Sequence, residues 1–171
     1  MPNHCYQQVH IYGPRFLVKE IYDGLTEGGY DPHTSNYAVN PRFCQLVVPM
    51  PFEQWLAPKT KWGGYEVEGW YDWRVNNWGT KWDVVNVEIT QSLLLHDDEP
   101  DTGDPWNMNA SFSFNCWTAW APPVPVWDKL HSMGISVDAT YQDEGGMFEG
   151  EYIDGSDTTW TPEDEKEMED A

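Results

Sequence analysis

The 171-residue chain predicts an α+β protein, a sandwich with a mostly antiparallel sheet, helices on one face and an acidic C-terminal extension. Three observations predict it. Residues 4–12 and 110–117 alternate between two kinds of side chain with the period of a strand. Residues 14–27 and the segment after Pro122, Pro123 and Pro125 space their apolar residues as helices do. The resulting order is strand–helix–strand, then strand–strand–helix–strand–strand.

The elements follow in chain order. Cys5, Gln7, Val9 and Ile11 share one face of the opening strand, with His4, Tyr6, Gln8, His10 and Tyr12 on the other. Gly13-Pro14 punctuates it, and Pro14 suits a first helical turn. Phe16, Leu17, Ile21 and Leu25 make residues 14–27 an amphipathic helix that Gly28-Gly29 ends. Residues 31–42 read as a loop, and 43–48 as a short apolar strand closed by Pro49 and Pro51. Residues 53–65 offer a short helical stretch and a Gly63-Gly64 break. Val85, Val87 and Ile89 alternate with Val84, Asn86 and Glu88 as a strand, and 93–109 read as an acidic loop. Ala110, Phe112, Phe114 and Cys116 alternate with Ser111, Ser113, Asn115 and Trp117. The prolines that follow mark a helix entrance, and Val126, Leu130 and Met133 supply its buried stripe before Gly134. Residues 135–141 and 147–152 form a hairpin around Glu144-Gly145-Gly146. Thr161-Pro162-Glu163-Asp164 reads as an N-cap, a first-turn proline and acids favoured by the helix dipole. Residues 110–152 match a split β-α-β arrangement of ferredoxin-like type. The expected division is one domain over 1–153 and an acidic tail or short helix over 154–171.

The charge is strongly one-sided. The formal net charge is −20, from 29 acidic and 9 basic residues. Residues 1–95 hold 10 acids and 7 bases, whereas residues 96–171 hold 19 acids against Lys129 and Lys166. One cluster is Asp97, Asp98, Glu99, Asp101 and Asp104; a second stretch runs from Asp138 to Asp170 and includes Asp143, Glu144, Glu149, Glu151, Asp154 and Asp157. A surface of this sign does not neutralise phosphates, so direct nucleic-acid binding is not expected, and anionic leaflets repel it. At 15% aromatic, the chain is not a disordered acidic protein either. Solvated charge keeps a protein soluble, but its self-repulsion costs stability, which makes a concentrated field a candidate for docking a basic partner.

Cys5, Cys44 and Cys116 are odd in number and lack CxxC spacing, which indicates buried thiols in a reducing cytosol and no disulfide, zinc or iron–sulfur framework. The first residues carry no basic, apolar signal-peptide pattern, and no apolar run has transmembrane length. The cytoplasm is the expected compartment.

The strongest local motif is aromatic. Trp70, Tyr71, Trp73, Trp78 and Trp82 crowd around Arg74, Asn76, Asn77 and Lys81. Arg74, Trp78, Lys81, Trp82 and Trp120 would serve as a stacking surface, or the rings would form the core of a chain poor in Leu and Ile. His96-Asp97-Asp98 brings imidazole and carboxylates together, but no second histidine at ligand spacing accompanies it, and Pro100 breaks an EF-hand register. No metal or cofactor is therefore expected. GxSxG, Walker, GxGxxG and HExxH patterns are absent, so no catalytic residue is assigned; an enzyme would require the fold to bring His10, His131 and a carboxylate together.

Several stretches resemble a family of small phage and plasmid proteins with a ferredoxin-like domain, the YubB-like family. They are the opening Met1-Pro2-Asn3-His4-Cys5, then Asn77-Trp78-Gly79-Thr80-Lys81-Trp82-Asp83, Thr118-Ala119-Trp120-Ala121-Pro122-Pro123 and residues 141–150. His4 stands where that family usually has an aromatic. The resemblance spans about residues 1–152 and implies a fold, a mobile-element setting and so the cytoplasm of a bacterial host, without catalytic residues. The functional expectation is a non-enzymatic, acidic protein-binding module. It would occupy a basic, nucleic-acid-binding surface of a host protein, for instance a defence nuclease. The alternative is a small nucleic-acid or nucleotide-binding protein using the tryptophan segment; a structural accessory role is the third reading.

Overall fold

The computed structural model describes residues 3–28, 41–55, 58–62, 65–67, 69–96 and 108–170. Period-two alternation builds the middle of the main sheet. In β1 (His4–Pro14), Cys5, Gln7, Val9 and Ile11 are buried and the intervening side chains are more exposed. β5 (Asn109–Ala119) turns Ala110, Phe112, Phe114 and Cys116 inward in the same way. Helix α1 (Arg15–Thr26) starts immediately after Pro14 and buries Val18, Ile21 and Leu25, while Phe16 stays 49% exposed. Helix α5 (Val124–Ser132) buries Val126, Trp127 and Leu130. Met133, expected in its stripe, is the C-cap and is exposed, because the helix ends one residue before it.

Two segments differ from the expected elements. Residues 43–48 are not a strand: Cys44–Val47 forms a short helix, α2. Asp83, far along the chain, accepts the N–H groups of Phe43, Cys44 and Gln45 at 3.1, 2.8 and 2.9 Å and thereby caps the start of that helix. After α3 (Phe52–Trp55), β2 (Thr60–Trp62) and β3 (Tyr65–Val67) pair antiparallel as a separate two-stranded sheet. The tryptophan segment then forms a helix, α4 (Gly69–Trp78). β4 (Val85–His96) extends four residues into the expected acidic loop.

β6 (Ser136–Asp143) and β7 (Glu149–Ile153) form the expected hairpin, and β8 (Ser156–Trp160) pairs antiparallel with β7. Residues 156–160 therefore belong to the sheet and not to a tail. α6 (Pro162–Glu169) follows, closed at its start by a Thr161–Asp164 capping box. It has no buried residue.

The six strands run in the order β4-β5-β1-β6-β7-β8, and every pairing is antiparallel. The inward side chains of β1, β5 and β6 join α1, α2, α5 and Trp78 of α4 in one apolar core. Among the described residues, one side-chain amide is fully buried beside it. Gln7 donates to the Cys5 carbonyl and to the Thr118 hydroxyl, and accepts from the Cys116 thiol, so its polar atoms are satisfied. α1, α2, α4 and α5 thus pack on one side of the sheet, and the alternate strand residues face away from that core.

Candidate docking face

Strand register aligns the outward residues into cross-sheet rows. One row runs Val85, Trp117, Tyr6, Gln142, Glu149 and Trp160 across all six strands. The next runs Glu88, Asn115, Gln8, Thr140, Glu151 and Thr158, and a third runs Gln91, Ser113, His10, Asp138, Ile153 and Ser156. Side chains directly opposite one another on one face are in contact range. The rings of Tyr6 and Trp117 are 5.0 Å apart and tilted, and His4 meets the same Trp117 edge-on at 5.9 Å. His10 hydrogen-bonds Ser113 at 2.7 Å, and His96 bonds Ser111 at 2.8 Å.

No Lys or Arg occurs in any of the six strands. Glu149, Glu151 and Asp138 lie on the outward face without a cation of their own strands beside them. Glu144 borders it, where its carboxylate accepts the His4 backbone N–H at 2.8 Å and meets His4 Nδ1 at 3.0 Å; these bonds hold its pKa below the ordinary value. Two shallow clefts flank Tyr6 and Gln142. Trp117 and Glu144 wall the first, and Glu149, Glu151 and Trp160 wall the second.

The other acids expected on a docking surface are placed differently. Asp143 is buried: it accepts the N–H groups of Gly145 and Met147 at 3.1 and 3.0 Å and so fixes the β6–β7 turn. Its carboxylate is used by the backbone and is withdrawn from the docking set. Asp154 accepts from the Val137 N–H at 2.9 Å, and Asp157 accepts the Tyr141 hydroxyl at 2.7 Å, on the row whose neighbours turn toward the core. Asp97, Asp98, Glu99, Asp101 and Asp104 lie outside the described residues.

The tryptophan segment divides in two. Trp78 is fully buried and its indole N–H donates to the Val48 carbonyl at 2.8 Å. Arg74, 3% exposed, stacks its guanidinium over Trp70 and Trp78 at 5.0 and 4.8 Å. Neither is accessible to a stacking ligand, which corrects the expectation of Arg74 and Trp78 as a platform. Lys81 sits between the rings of Tyr71, Trp82 and Trp120 at 5.1, 5.9 and 5.8 Å, so this aromatic enclosure already holds a cation. Trp120, 37% exposed, adopts a left-handed φ of 69° and donates its N–H to the Asn3 carbonyl.

The nucleophile and metal readings meet the same geometry. Burial pushes the Cys5 thiol up to about 11 and those of Cys44 and Cys116 well above their ordinary value, so none is a thiolate at neutral pH. His10 faces outward from β1 while His131 lies on α5, across the sheet from it. Among the described residues no three His, Cys, Asp or Glu side chains converge as a metal-binding group, and no helix is long and apolar enough to cross a membrane.

Sequence reasoning named Glu144, Glu149 and Glu151 but missed Tyr6, Gln142, Trp117 and Trp160. Alternation had put Tyr6 on the outward face; only strand order and register bring it beside the other three. Comparisons with protein families, with characterised proteins and with solved structures find no match to this chain.

Proposed function

We propose that the protein is an acidic docking module that binds a basic surface of another protein through the outward face of its sheet. The observation that carries this reading is the meeting of Glu144, Glu149 and Glu151 with the part-exposed rings of Tyr6, Trp117 and Trp160 in two clefts, on a sheet whose strands contain no Lys or Arg. Such a face attracts cations over a Debye length and offers ring surface once contact is made. A nucleic-acid-binding protein presents the required basic surface. Within a mobile-element setting, that partner is a host defence nuclease whose nucleic-acid channel the module blocks. Support for the setting is the resemblance of residues 1–152 to the YubB-like family. A ferredoxin-like core is supported by the order β4-β5-β1-β6, in which two strand–helix–strand halves interlock around α1 and α5.

The test is charge reversal on exposed positions. Binding of the purified protein to basic nucleic-acid-binding proteins should weaken with salt, and Glu149→Lys with Glu151→Lys should weaken it at least about tenfold at low salt. Retained affinity in that variant, or affinity indifferent to salt, overturns the reading.

A further inference from the structure

We infer that the row Trp117, Tyr6, Gln142, Glu149 and Trp160 selects arginine side chains on the basic partner, through two adjoining slots. This rests on the docking reading above and adds which cation is read. The first slot is walled by Tyr6, Trp117 and Glu144, and the second by Glu149, Glu151 and Trp160; Tyr6 and Gln142 line both. Each therefore joins an aromatic wall to a carboxylate. That combination matches a guanidinium, which is planar, stacks on rings and donates in a fork to carboxylate oxygens. An ammonium gains the charge but neither the stacking nor the fork.

The slots are also held in place. Glu144 is anchored by its two His4 contacts, and a carboxylate retains acceptor sites beyond those. Glu149 and Glu151 are two residues apart on β7, which points both to the same face. Tyr6 is fixed between Trp117 and Gln142 by the two central pairings of the sheet. The slots adjoin on either side of Tyr6 and Gln142, so a single partner segment with two arginines fills both.

The experiment compares two synthetic peptides of equal length and charge, one with arginine and the other with lysine as its only cation. Binding is read by calorimetry and by tryptophan fluorescence at two ionic strengths. The expected result is at least about tenfold tighter binding of the arginine peptide, with Tyr6→Leu reducing the ratio below about threefold. Trp160→Leu, on edge strand β8, repeats the test if Tyr6→Leu does not fold by circular dichroism. Glu149→Gln with Glu151→Gln should weaken both peptides. Equal affinity for the two peptides, or a ratio unchanged in the ring variants, overturns the arginine inference and leaves the basic docking face intact. Binding of neither peptide, with basic proteins also unbound, overturns both.

Discussion

Asp83 accepts four backbone N–H groups, three at the start of α2 and that of Val84 at 2.8 Å. Desolvation raises its carboxyl pKa, and the four bonds pull in the opposite direction. Asp83→Ala leaves these donors without their acceptor and should cost about 2 kcal/mol in urea unfolding. The buried phenols give a pH signature. Tyr141 is pushed from 10.0 up to about 12 by desolvation, and desolvation also raises Tyr152, which donates to Asp128 at 2.7 Å. Their folded pKa values exceed the unfolded ones, so this stability is complete below pH 10, and Tyr141's share is lost as pH rises through about 12. Tyr141→Phe should flatten stability against pH across that window, measured by unfolding alongside tyrosinate absorbance. The same residues mark what sequence made legible. Cys5, Val9 and Ile11 announced their burial through alternation alone. Asp83 gave no local sign of its role, because the helix it caps lies some forty residues earlier.

At the scale of elements, local pattern and long-range pairing contributed differently. β1, β5, the β6–β7 hairpin and the Thr161 cap were readable because each carries its own periodicity or turn chemistry. α4 was not, since Trp70, Tyr71, Trp73 and Trp78 surround the helix and leave no single apolar stripe. β8 was hidden too: Ser156–Trp160 is polar, and what makes it a strand is pairing with β7. That pairing depends on Gly150. A Cβ there would collide with the Thr158 carbonyl oxygen and the Tyr141 hydroxyl, neither of which has an easy way to withdraw. Gly150→Ala should therefore cost about 3 kcal/mol or more, read by denaturant unfolding, with exchange protection lost first along β8. A variant as stable as the parent would mean that β8 shifts freely.

For the whole molecule, the −20 charge produces opposite responses to salt. Screening relieves repulsion within the fold, so the melting temperature should rise between low ionic strength and about 0.15 M. Affinity for a basic partner should fall over the same range. α6 holds several of the acids but buries nothing, so deleting residues 162–171 should change unfolding free energy by less than about 1 kcal/mol. A larger loss would show that α6 supports the sheet. Sequence revealed the charge asymmetry, but its distribution between turn-fixing Asp143 and outward Glu149 depends on register, which composition does not contain.

The lysine-free strands also decide how this protein can be mapped chemically. Trypsin finds no site between Lys81 and Lys129, or between Lys129 and Lys166, so β4 to β8 leave a digest as two long fragments. Amine-directed labels and cross-linkers have no target on those strands and would report an occupied sheet face as untouched. Carboxyl-directed coupling, protected at Glu149 and Glu151 when a partner is bound, is the footprint that can see it.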